Sequence, residues 1–107
     1  MKAVMPAPSD YLAEWYLSGL CAQAVDDAVA ELRRALAIVE DAGPPVVLLA
    51  MFAAAQDEVL YGVFSAASPS AVIQACMRAG YPVDRLTVDV DARILVPETP
   101  ETPAGCP

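Results

Sequence analysis

Glu14 and Tyr16 stand two positions apart in the run DYLAEWYL, Asp10 to Leu17. In an extended strand alternate side chains share a face, so a carboxylate and a phenol point the same way. Such a pair can handle protons: partial burial raises a carboxyl group towards the range of a useful base. Glu14 or Asp89 is the candidate base, and Tyr16 or Tyr61 the group that steadies a developing oxyanion. Arg85 and Thr87 sit with Asp89 in the alternating run VDRLTVDVDARILV and are candidate ligand contacts. The ordinary alternative is structural. Arg85 with Asp89, or Arg93 with Asp91, forms an ion pair on an edge strand, where charges also discourage unwanted pairing.

Other chemistries are excluded by residue type. The chain has no histidine, which rules out a His-based triad and a Cys–His nucleophile. Its cysteines, Cys21, Cys76 and Cys106, are odd in number and scattered, against both a disulfide framework and a zinc site. Cys76 lies among apolar neighbours and reads as core, with Cys21 and Cys106 as free thiols. No phosphate loop or dinucleotide fingerprint is present. Neither a metal nor a cofactor is expected.

These residues need elements to position them. After a loose lead-in with Pro6 and Pro8, DYLAEWYL reads as strand one, broken by Ser18-Gly19. From Gln23 to Asp41 the residues Val25, Ala28, Val29, Leu32, Leu36 and Val39 recur at helical spacing, and Gly43-Pro44-Pro45 ends that helix. Val46 to Ala55 is continuously apolar and reads as strand two; a turn at Ala55-Gln56-Asp57-Glu58 leads into strand three. Ser68-Pro69 pairs a capping hydroxyl with proline at the first helical position. Val72, Ile73, Cys76 and Ala79 form the stripe of a second helix, stopped at Gly80. Val83 to Val96 alternates as strand four, with Leu86, Val88 and Val90 towards the helices and Arg85, Thr87, Asp89, Asp91 and Arg93 on the open side. The tail PETPETPAGCP reads as extended or disordered. The domain is therefore 10–96, between lead-in 1–9 and tail 97–107.

The order β-α-β-β-α-β is that of the ferredoxin-like sandwich, an α+β fold. Right-handed crossovers place both helices on one face of a four-stranded antiparallel sheet in the order 4-1-3-2. Strand three, VLYGVFSA, then poses a problem, because neither of its faces is polar. Val59, Tyr61 and Val63 form one set; Leu60, Gly62 and Phe64 form the other. Whichever set turns from the helices needs a cover, so Tyr61 and Phe64 are both candidate ligand contacts. Covering ~500 Å² of apolar surface is worth about 12 kcal/mol before association costs. A second copy packed sheet to sheet, making a dimeric α+β barrel, supplies that cover. The alternative cover is the C-terminal tail.

Composition supports an oligomer and restricts partners. Apolar residues make up 57% of the 107, above the usual ~45–50%. The formal net charge of −8, with no basic stripe, disfavours nucleic acid and anionic membrane. No apolar run reaches the ~18 residues of a spanning helix, and the N-terminus lacks the apolar segment of a secretion signal. A cytoplasmic location is expected.

Two segments, DEVLYGVFSAASPSAV from Asp57 and RAGYPVDRLTVDV from Arg78, resemble a small ferredoxin-like family typified by a nickel-binding protein. Leu12-Ala13-Glu14 fits it more loosely. The resemblance implies a ferredoxin-like fold, a homodimer and a ligand at or near the interface. The family's metal ligands are not retained: its site depends on histidine, and Gly62 stands where a cysteine is expected.

The expected function is a small homodimer that binds a small, largely apolar ligand between two sheets. Glu14, Tyr16 and Asp89 are the candidate catalytic residues, and Tyr61, Thr87, Arg85 and Phe64 the candidate ligand contacts. The alternatives are a cofactor-free isomerase, cyclase or oxygenase on an aromatic or polyketide-like substrate, and a protein-interaction module.

Overall fold

The computed structural model describes residues 7–42 and 45–95. Gly43, Pro44, the tail from Pro97 with its Cys106, and the side chain of Val39 lie outside the described set. The elements are β1 (Ser9–Tyr16), α1 (Ala22–Ala42), β2 (Val47–Ala54), β3 (Val59–Ala66), α2 (Pro69–Arg78) and β4 (Arg85–Val90). All strand pairs are antiparallel, and the sheet order is β2-β3-β1-β4, as the element order requires.

Local chemistry sets the boundaries. Ser68 caps α2 by accepting the Ala71 N–H at 3.2 Å, with Pro69 at the first helical position. At the other end Gly80 takes a φ of +85°, and Tyr81 donates its N–H to Cys76 O at 2.9 Å. This is the left-handed stop that glycine permits at no steric cost. Between β2 and β3 a single 3-10 turn, Ala55–Asp57, hands over to Glu58 in the left-handed region. The Glu58 carbonyl accepts Leu17 N–H and its carboxylate accepts Gly19 N–H. One residue thus ties the β2–β3 corner to the end of β1.

The core lies between the helices and one sheet face. Tyr11, Ala13 and Trp15 of β1 meet Leu60 and Phe64 of β3 there, with Ala28, Leu32 and Leu36 of α1 and Val72, Ala75 and Cys76 of α2 above them. Trp15 packs edge-on to Phe64 with ring centroids 6.3 Å apart, and its indole N–H donates to Tyr81 O at 2.8 Å. A buried tryptophan with its polar atom satisfied is a strong anchor.

Several expectations change. Phe64 is wholly buried on the helix side, because the set Leu60, Gly62, Phe64 pairs in register with Trp15, Ala13 and Tyr11. It is a core residue, not a ligand contact. Ile73 is exposed, and Ala75 takes its place in the buried stripe of α2. The alternation predicted to run to Val96 ends as strand at Val90. Before that end, Asp10 pairs with Val90 while Leu12 pairs with Thr87. Two residues, Val88 and Asp89, therefore oppose one, and Asp89 has a φ of +58°. This β-bulge reverses the parity beyond Thr87. It turns Val90 to the helix-free face and takes Asp89 off it.

Candidate functional site

The helix-free face is built of rows that cross all four strands. One row runs Arg85, Glu14, Tyr61, Phe52 from β4 to β2. Beside it runs Thr87, Leu12, Val63, Ala50. Tyr16, Val59 and Ala54 continue the face on the other side. Sequence reasoning left the side of Tyr61 open; its register with Glu14 places it here.

Polar and apolar groups are segregated along the first row. Glu14, whose side chain is 15% exposed, faces Arg85 with its Oε2 3.9 Å from the guanidinium Nε. Tyr16 donates its phenol to Glu14 Oε1 at 3.1 Å. At the far end Phe52 stacks on Tyr61, ring centroids 5.2 Å apart and 23° between planes. Phe52 is 52% exposed although it is a large apolar side chain. Val63, framed by Leu12 and Ala50, is 7% exposed.

Asp84 fixes the polar end. Its N–H donates to Glu14 O at 3.0 Å, and its carboxylate accepts Tyr16 N–H at 2.9 Å. It prolongs the β1–β4 pairing and so sets the backbone under both candidate residues. Sequence reasoning missed Asp84. Its signal was an aspartate shortly after Pro82, at the entry to a strand, where a short acceptor commonly satisfies backbone donors.

The Tyr16 phenol is held above its usual ionisation range. Desolvation against the sheet is the largest cause, then the hydrogen bond to Glu14 and that residue's negative charge, with Arg85 opposing. Tyr16 is therefore a hydrogen-bond donor at neutral pH and not a phenolate base.

Of the candidate residues, the structure brings together Glu14, Tyr16, Tyr61 and Arg85, with Thr87 in the adjoining row. Asp89 and Phe64 are absent from the group. Arg85 faces Glu14, its register partner, and not Asp89, which the bulge turns away. Arg93 does pair with Asp91, at 3.1 Å, beyond the end of β4. Clefts of about 250 Å³ lie elsewhere, one between the helices beside Arg34 and Arg78 and two along α1 and β2 around Arg33. They contain none of the candidate residues.

Among the described residues no three His, Cys, Asp or Glu side chains gather as a cation site. Gly62 points into the core, where a Cβ would lie 3.0 Å from Trp15 Cζ3. A cysteine at that position would face the tryptophan and not the helix-free face.

A solved structure, that of SCO4226 from Streptomyces coelicolor A3(2), matches this chain with a TM-score of 0.65 at 20% identity, covering 78% of this chain and 100% of its own. The chain has the ferredoxin-like fold. At that identity the likeness concerns architecture alone. No protein-family model matches the sequence, and no curated protein matches it. Among the described residues no helix is long and apolar enough to cross a membrane.

Proposed function

We propose that two copies of this chain pair through their helix-free faces and hold a small, largely apolar ligand with one polar end between the sheets. The observation that carries this reading is the exposure of Phe52, Val47 and Tyr16 on the same face as the Glu14–Tyr16 pair. A large apolar patch rimmed by polar groups marks an interaction surface, and a two-fold partner presents the same patch in return. Relationship to the small family typified by a nickel-binding protein belongs to this reading, supported by the shared architecture and without its metal. A cytoplasmic location belongs to it too, since the free Cys21 and Cys76 suit a reducing compartment.

Native mass spectrometry of the full chain, with light scattering, tests the reading. The expected result is a dimer, converted to monomer by Phe52→Glu with an unchanged circular dichroism spectrum, since Phe52 lies outside the buried core. A wild-type chain that stays monomeric at high concentration overturns it.

A cofactor-free enzyme is the second reading, favoured by one observation: the phenol–carboxylate hydrogen bond on a partly buried Glu14. Glu14→Gln with ligand binding retained and turnover lost supports catalysis. Absence of turnover in the wild-type chain refutes it, and turnover that survives in Glu14→Gln removes Glu14 as the base.

A further inference from the structure

We infer that the ligand of the helix-free face is a neutral, fused-ring aromatic molecule carrying a hydrogen-bond donor, laid along Phe52 and Tyr61 with its donor on Glu14. The inference rests on the dimeric, ligand-binding reading above and adds the chemical class. Its first support is the layout of the row. Phe52 and Tyr61, stacked on one another, supply an aromatic pair on this face, and a further ring placed against them in an offset or edge-on arrangement gains beyond the area it buries. Glu14 lies two strands from Phe52, a span of about 10 Å at the normal strand spacing. A two-ring system with one substituent covers that distance, and a single small ring does not.

The second support is unspent acceptor capacity. A carboxylate offers about four lone-pair sites. Oε1 of Glu14 takes the Tyr16 phenol at 3.1 Å, while the nearest cationic nitrogen stands 3.9 Å from Oε2, too far for a hydrogen bond. Glu14 therefore has room for a donor from outside the chain. The Tyr61 hydroxyl makes no hydrogen bond among the described residues and can add a second polar contact.

Charge decides the form of the donor. Arg85 already compensates the charge of Glu14, so for an ammonium group there the repulsion from the guanidinium offsets the pull of Glu14. An anionic ligand meets Glu14, the neighbouring Asp84 and a chain of net charge −8. A neutral phenolic O–H or aromatic N–H avoids both penalties.

Four naphthalene probes test this by fluorescence titration of the full-length wild-type chain and of Glu14→Gln. The probes are naphthol, naphthoate, naphthylmethylammonium and methylnaphthalene. Naphthol is expected to bind at least about tenfold more tightly than naphthoate or the ammonium. Glu14→Gln is expected to weaken naphthol by about tenfold, equal to about 1.4 kcal/mol, and to leave methylnaphthalene unchanged. Equal affinity for naphthoate or the ammonium overturns the inference, as does naphthol binding that ignores Glu14→Gln. If the chain is dimeric and methylnaphthalene binds in either of those cases, the dimeric cavity stands and only the donor assignment falls. A monomeric chain that binds none of the four overturns both.

Discussion

The backbone of Gly62 runs directly beneath the Trp15 indole, so close that a Cβ there would sit 3.0 Å from Cζ3 and 3.1 Å from Cη2. The two residues lie on neighbouring strands and on the same face, two residues out of register, Gly62 opposite Ala13 and Trp15 opposite Leu60. The missing side chain lets the ring lie over the sheet, reach Tyr81 O with its N–H and pack edge-on to Phe64.

Gly62→Ala is expected to destabilise the fold by about 1–3 kcal/mol, the usual cost of overpacking a closed core. Urea unfolding monitored by far-ultraviolet circular dichroism measures it, a signal that survives removal of the chain's single tryptophan. Pairing the change with Trp15→Phe should recover part of the loss, because the smaller ring vacates the contact; strictly additive losses would show that the two sites do not press on one another.

Asp89 pays for its bulge in backbone conformation. Its φ of +58° is in the region L-residues avoid. Asp89→Gly is expected to be neutral or to stabilise by up to ~1 kcal/mol, and Asp89→Val to cost about 1–2 kcal/mol, since a β-branched side chain suits that conformation worst. Thermal unfolding of both variants checks the ordering. The reverse order would place Asp89 in a regular strand and return it to the helix-free face.

Tyr16 predicts a pH dependence at the alkaline end. Its folded pKa is raised above the usual 10.0, so the neutral phenol is preferred in the folded state. The contribution is fully present below about pH 10 and is lost as pH climbs through the raised folded value. Denaturant unfolding from about pH 8 to pH 11 should show wild type losing stability relative to Tyr16→Phe above about pH 10. Parallel curves would remove the phenol–carboxylate contact.

The two described cysteines should separate by reactivity. Cys76 is fully buried in the core, and burial pushes its thiol up to about 12, while Cys21 is exposed. In a Cys106→Ser background at about pH 8, a maleimide should label Cys21 promptly and Cys76 only on unfolding, because the thiolate is the reactive form. Fast double labelling of the native chain would mean that the α2–sheet contact opens readily.

Much of this molecule is readable from its residues, because element type depends on neighbours in sequence. The helical spacing of Ala28, Leu32 and Leu36, the Ser68-Pro69 cap, the Gly80 stop and the alternation of Ala13 and Trp15 with Glu14 and Tyr16 are local signals. Their order restricts the sheet to few topologies, and the one expected is found. What tertiary structure decided is parity. Strand three is apolar on both faces, so only pairing with β1 shows that Phe64 belongs to the core and Tyr61 to the helix-free face. One extra residue in β4, beyond Thr87, turns Asp89 away, while Arg85 meets Glu14 in the regular register before it. A side chain's face in a strand depends on every hydrogen-bonded step before it, and a bulge that shifts the count by one leaves no unambiguous trace in the alternation of residue types.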